Sequence, residues 1–272
     1  MRVLEAVPAW VVGQIAKSEV RTLVDDRRPS REEARGQIGG GAVGEGQEDG
    51  IHRRQLVMDR QCGRAQVGMD AGDRIVVALA PLARAGLIGD LVVDAKSGVS
   101  GAGREARADL MFGEVNESVK AYGLGGHRHV AEIEQELAYI ASADGLDPSI
   151  NPGAAAVDFV PHLIPMTRGI HSTSHVRPTR PIDQAELDAL YEAAYGDEPF
   201  VTVVPSAPAT KHVTGSNEVR IHVRLDERSG RIIAIGVEDN LVKGAAGQAI
   251  QSFNLVHGLP ETAGLLQLPL AP

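Results

Sequence analysis

"EVRIHVRLDERSGRIIAIGVE", residues 218–238, reads as two runs of β-branched and apolar residues around the polar turn "DERSG". That pattern predicts two strands joined as a hairpin. Working back along the chain, "PFVTVVP" (199–205) predicts a third strand, and "PIDQAELDALYEAAYG" (181–196) a helix. Asp183 stands three residues before Glu186 as a helix-start signal, and Gly196 offers a stop. "AAVDFVPHLIPM" (155–166) is strand-like, and "AEIEQELAYIA" (131–141) spaces Ile133, Leu137 and Ile140 as one helical face. "RIVVALAPLARAGLI" (74–88) predicts a helix and turn that Pro81 can kink, and residues 90–94 a short buried strand. Beyond the hairpin, "NLVKGAAGQAIQSFNLVHG" (240–258) predicts a last helix, with Gly258 as its stop. The expected class is α+β: a sheet covered on one face by helices.

Hydrophobic residues make up 43% of the chain and aromatics 3%, so the core must be aliphatic. A formal net charge of −9 repels phosphate backbones and argues against nucleic-acid binding. No apolar run approaches the roughly 18 residues needed to span a membrane. The lone cysteine, Cys62, cannot form an internal disulfide, and the expected compartment is the cytoplasm. Residues 25–66 are rich in charge and glycine and read as loop or disorder. "GGGAVG" (39–44) fits the G-x-G-x-x-G pattern but lacks a preceding strand and a following helix, so it is set aside. The expected division is an irregular segment, 1–75, and a packed domain, 76–272, ending in a helix within 239–258.

Four stretches carry possible chemistry. In "DAKSGVSGAGR" (94–104), Ser97 and Gly98 leave backbone N–H groups accessible and Arg104 adds charge, which suits an anion. In "GLGGHRHVAEIEQEL" (123–137), His127 and His129 stand two apart before a helix start. Such a pair could serve as metal ligands, as a proton-transferring site, or as a polar junction. A metal would need further ligands, and His162, His171 and His175 fall in no recognised spacing, so none is assigned. Arg168 follows a strand and could clamp a carboxylate. Gly244 and Gly247 lie on one helical face that something must approach closely, with Asn240 near its start.

The stretches "VVDAKSGVSGAGR" (92–104), "GEVNESVKAYGLGGHRHVAEIEQEL" (113–137), "VDFVPHLIPMTRGI" (157–170) and "VEDNLVKGAAGQAIQSFNLVHGL" (237–259) occur in this order. Together they resemble the N-acetyl-γ-glutamyl-phosphate reductase family over about residues 76–272. The resemblance implies the substrate-binding, C-terminal part of a glyceraldehyde-3-phosphate-dehydrogenase-like enzyme of arginine biosynthesis. Such an enzyme reduces a small acyl phosphate to a semialdehyde with NADP(H) and forms a homo-oligomer. It implies a cysteine thiolate that forms a thioester and a histidine that moves the protons. His129, with His127 beside it, would be that histidine. Ser97, Gly98 and Arg104 would lie near phosphate or cofactor, Arg168 would face the substrate, and Asn240 with Gly244 would approach the nicotinamide.

Two departures follow. The family cysteine lies in an "NPGCYPT"-like segment before the helix "ALAPLARAGLI"; here Asp70 takes that position by spacing, and Cys62 lacks the flanking pattern. The nucleotide-binding part that precedes it is not recognisable in the first seventy or so residues. The chain is therefore expected to have little reductase activity alone, the alternative being a non-catalytic relative that binds an anion or a partner. The last helix, which in this family faces the nucleotide-binding part, is expected to leave apolar surface exposed or buried in a dimer.

Overall fold

A computed structural model describes residues 72–143 and 156–270. The first segment of the expected division, with the glycine run at 39–44, Cys62 and Asp70, lies outside the described residues except at its end. There helix α1 begins at Gly72, so the boundary expected at 75/76 falls inside a helix.

α1 (Gly72–Arg84) is followed by β1 (Ile88–Ser97), a one-turn α2 (Phe112–Val115), the two-residue β2 (Lys120–Ala121) and α3 (His129–Ala143). Then come β3 (Val157–Leu163), β4 (Ile170–Pro178), α4 (Gln184–Tyr195), β5 (Val201–Val203), and the hairpin β6 (Val219–Asp226) and β7 (Arg231–Glu238). The last helix is a π-helical turn, Val242–Ala246, running into α5 (Gly247–Val256). The seven strands form one mixed sheet in the order β2-β3-β1-β4-β7-β6-β5.

Period-two alternation puts one row of each strand against the helices. Leu91, Val93 and Ala95 of β1, Val219, Ile221 and Val223 of β6, and Ile232 and Ala234 of β7 join a single core with α1, α3 and α4. Ile133, Leu137 and Ile140 are buried as one stripe of α3. Asp183 caps α4 by accepting the Glu186 N–H at 2.8 Å. Gly258 takes the left-handed conformation (φ 67°) that ends α5, whereas Gly196 stays right-handed at the end of α4.

Pro81 does not break α1. It lacks an N–H, so the carbonyl four residues earlier, Val77, loses its helical donor. The Tyr195 hydroxyl of α4 donates to that carbonyl at 2.5 Å, and Tyr191 donates to the Ala78 carbonyl beside it. Two helices are thus joined through a proline-vacated acceptor. Tyr195→Phe is expected to cost about 1–2 kcal/mol, since the carbonyl is left without a protein donor. A urea midpoint unchanged from wild type would show that water reaches it instead.

Besides the two-residue β2, one strand is absent from the sequence-based expectation: β4. Its core-facing row is Ile170, Ser172, Ser174 and Val176, all buried. Serine at two of four buried positions hides the apolar alternation in "IHSTSHVRP". β1 is also longer than its apolar run, because Asp94, Lys96 and Ser97 continue the pairing with both neighbours.

Candidate active site

The loop after β1 lies on the turn after β3. Gly98, Val99 and Ser100 donate their N–H groups to the carbonyls of Gly169, Met166 and Thr167 at 2.9–3.0 Å. Gly101 and Gly103 donate to Gly98 and Ser100 within the loop. These N–H groups, which the sequence offered to an anion, are therefore engaged by the protein. Gly98 is small for a packing reason: a Cβ there would meet Thr167 O, Arg168 N and Met166 O at 2.9–3.0 Å. Gly98→Ala must push two backbone segments apart, at a cost of about 2–4 kcal/mol including strained hydrogen bonds. A variant with wild-type thermal stability would contradict that packing.

Two consecutive residues after β7 hold this junction. Asn240 accepts the Gly169 N–H at 2.7 Å and donates to Ser100 Oγ at 2.9 Å, so its amide joins the two loops. Asp239, with a fully buried side chain, accepts from the N–H groups of Gly215, Leu241 and Val242. It also pairs with Arg168 at 3.0 Å. The helix that follows starts as a π-turn, a geometry frequent at functional sites. A Cβ at Gly247 would collide with Asn217 Oδ1, so the close neighbour that the glycine spacing demanded is the 213–217 loop.

The histidine pair sits where a glycine-rich turn becomes α3. His127 Nδ1 accepts the His129 N–H at 3.2 Å and so serves one of the orphan donors at the helix start. The two rings meet edge to face, 4.5 Å between centroids, and both contact Phe159. Burial, with the Arg128 guanidinium second, holds the His127 pKa below the ordinary histidine value. His129 is 6% exposed. Arg128 Nε donates to its Nε2 at 3.3 Å, and Glu132 stands 3.8 Å from the same nitrogen.

These elements enclose a cavity of about 440 Å³. Ser97, Gly98, His127, His129, Asn240 and Gly244 all line it, so six of the eight candidate residues are brought together. Arg104 is exposed and does not line it. Arg168 does not line it either, because its guanidinium is turned to Asp239. The cavity also has Lys120, Tyr122, Arg107 and Arg128, which sequence reading did not single out. Lys120 and Tyr122 follow period two from an edge strand of two residues, too short for its pattern to show. Leu163, Ile170, Leu241 and Ala245 give the cavity an apolar wall. Among the described residues no three His, Cys, Asp or Glu side chains gather as a metal site. Nor is any described helix long and apolar enough to cross a membrane.

The last helix is inverted. Gln248, Gln251 and Asn254 are buried, while Ile250, Phe253 and Val256 are exposed. Gln251 accepts from Lys243 Nζ and Asn217 Nδ2 and donates to Glu261, so a polar network holds the inner face. The exposed apolar side expected of this helix is present.

A mixed sheet with helices on one face is the fold this chain shares with semialdehyde dehydrogenases, and the chain belongs to the semialdehyde dehydrogenase dimerisation-domain family. The family model for the semialdehyde dehydrogenase dimerisation domain matches residues 74–240. The chain is 50% identical over 203 residues to the N-acetyl-gamma-glutamyl-phosphate reductase of Citrifermentans bemidjiense, covering 73% of this chain and 56% of that protein. It is 50% identical over 198 residues to the Rhodospirillum rubrum protein of the same name, covering 71% and 53%. The chain thus spans little more than half the length of these relatives. Among solved structures, aspartate semialdehyde dehydrogenase II of Vibrio cholerae shares the fold with a TM-score of 0.51 at 21% identity, over 68% of this chain and 59% of that one. A probable aspartate-semialdehyde dehydrogenase from Pseudomonas aeruginosa does so with 0.51 at 18% identity, over 69% and 61%.

Proposed function

We infer that the chain is the substrate-binding part of an NADP(H)-dependent N-acetyl-γ-glutamyl-phosphate reductase, a cytoplasmic enzyme of arginine biosynthesis. The observation that supports this most is the joining of the His127–His129 pair, the 97–103 loop and the Asn240–Ala245 turn around one cavity. Those stretches carried the resemblance from sequence, and the relatives at 50% identity bear the reductase name.

Within that reading each side chain has a task. His129 holds and moves the proton: the Arg128 N–H directed at Nε2 marks that nitrogen as an acceptor, and Glu132 is placed to compensate the charged form. His127 fixes the helix start that carries His129. Lys120, Arg107 and Arg128 supply positive charge for the acyl phosphate, replacing the loop N–H groups already engaged. Arg107 is in turn held by Asp109 at 2.6 Å.

The cavity fits the nicotinamide end of the cofactor, which would supply hydride. Leu241, Gly244 and Ala245 offer a small, largely apolar wall for a flat ring. Asn240 is a positioning residue first, because both its amide oxygen and its nitrogen are already bonded. The glycine-rich turn after β1 enters a 3-10 turn and has its N–H groups bonded to protein carbonyls, so the rest of the dinucleotide would be held elsewhere. The thiolate has no candidate in the described residues either, since the sole cysteine is Cys62.

The test is reconstitution. The chain alone is expected to oxidise NADPH with the acyl phosphate no faster than its own His129→Ala variant. Asp70→Cys, mixed with the nucleotide-binding half of a longer relative, is expected to restore substrate-dependent turnover. Turnover by the unaltered chain would show that another nucleophile serves. Failure of the mixture, with substrate still bound, would favour a non-catalytic, anion-binding relative.

A further inference from the structure

One side chain in the cavity opposes the charge of the rest. Arg107, Lys120 and Arg128 bring positive charge, and Asp109 is the one carboxylate among the described residues that line it. Arg107 holds that carboxylate with two edges of its guanidinium: Nε donates to Oδ1 at 3.0 Å and Nη2 to Oδ2 at 2.6 Å. Two parallel donors on two oxygens is also the way a guanidinium takes a phosphoryl group. Asp109 therefore occupies on Arg107 the place that an anionic ligand needs.

The backbone keeps the pair together. Arg107 precedes the 3-10 turn Ala108–Leu110, its carbonyl accepts the Leu110 N–H at 3.1 Å, and Asp109 stands inside that turn. A carboxylate two residues from the guanidinium stays within reach when the guanidinium leaves, and can retake it. The bond from Arg107, with the Lys120 charge a lesser cause, holds the Asp109 carboxyl below the ordinary carboxylate value, so it is an anion at neutral pH. Both side chains are half-exposed, which screens their attraction and leaves the pair free to exchange.

We propose that Asp109 is a built-in competitor for Arg107, displaced when a phosphoryl dianion enters the cavity and restored when that anion leaves. This rests on the reading of the cavity as an acyl-phosphate site. Reduction of an acyl phosphate releases inorganic phosphate, which is itself an anion. Three cations with no counter-anion among them would hold that product and slow its exchange for the next substrate. Asp109 opposes this in two ways: it repels a second anion, and it offers Arg107 another partner. It acts through Arg107, so it is a positioning residue rather than a catalytic one.

Calorimetric binding of inorganic phosphate to the full chain at low salt reads this competition without turnover. Asp109→Asn keeps the shape and removes the charge, and is expected to tighten phosphate about tenfold. Asp109→Glu restores the carboxylate and is expected to stay within about threefold of wild type. In an Arg107→Gln background the gain from Asp109→Asn is expected to shrink below about threefold, because no guanidinium is left to compete for. Phosphate is also expected to move the Arg107 Nε–H resonance of a nitrogen-labelled chain, the signal being identified by its loss in Arg107→Gln. The proposal is overturned if Asp109→Asn leaves phosphate affinity unchanged or weakens it. It is overturned too if the gain is the same with and without Arg107, or if phosphate binds and leaves that resonance unmoved. Lys120→Gln separates the competitor from the reading beneath it, and is expected to weaken phosphate at least about fivefold. If it does so while Asp109→Asn changes nothing, the cavity is still a phosphate site and the competitor alone is disproved. If phosphate binds neither wild type nor Asp109→Asn, both fall.

Discussion

Asp239→Ala is expected to remove about 3–5 kcal/mol of stability, close to the whole margin of a domain with 5–15 kcal/mol in hand. The carboxylate side chain is wholly buried and accepts three backbone N–H groups besides Arg168. Alanine leaves those donors and a guanidinium facing a space with no acceptor. Buried groups left unpaired cost more than the bond itself had contributed. The control is Arg168→Ala. Arg168 is one-third exposed, so its pairing is screened, and its loss leaves Asp239 with three N–H donors. That change is expected to cost no more than about 1 kcal/mol. The two urea midpoints should therefore separate widely. If they coincide, the ion pair rather than the backbone cap carries the effect. The variant should also unsettle the site, because Asn240 follows Asp239 directly and ties Ser100 to Gly169.

The same pair shows how far sequence reaches. Arg168 looked like a ligand clamp because a guanidinium after a strand has donors to spare. Its partner lies 71 residues away, and no local pattern reveals a buried carboxylate waiting there. Arg104 was grouped with the glycine loop by adjacency, but the 3-10 turn at Val99–Ala102 ends before it and leaves it in solvent. His129 is placed by a local signal, the start of a helix, whereas Gly98 is small because it packs on the backbone of residues 166–168, a contact that no local pattern reveals. The fold divides in the same way. The hairpin, the Asp183 cap and the stripe on α3 announce themselves through period and capping. β4, in the middle of the sheet, does not, because buried serines replace the apolar partners that make a strand visible. The last helix shows its apolar residues on the outside, as expected, but the amide and ammonium groups of its buried side are not announced by any local pattern.

In the reconstituted reductase, His129→Ala is expected to lower kcat by about 10²–10⁴-fold while KM changes by less than about threefold. The expectation rests on where the imidazole is held. The start of α3 carries partial positive charge. Arg128 donates to Nε2, which therefore accepts, whereas Glu132 at 3.8 Å can steady a proton taken there. His129 also packs on His127 and Phe159, so alanine opens a gap as well. His129→Asn separates the two effects, because an amide fills much of the space and keeps a hydrogen bond but cannot transfer a proton. If the asparagine variant retains activity within about tenfold of wild type, the ring is only a packing element. The neighbour gives the second discrimination. Burial and Arg128 lower the His127 pKa, so a mechanism using His127 as base would keep its rate below the pH at which an ordinary histidine becomes charged. His127→Ala would then be the more damaging change and would shift the acid limb of kcat/KM. With His129 as base, His127→Ala loosens the helix start and slows turnover less than His129→Ala does, with the acid limb left in place.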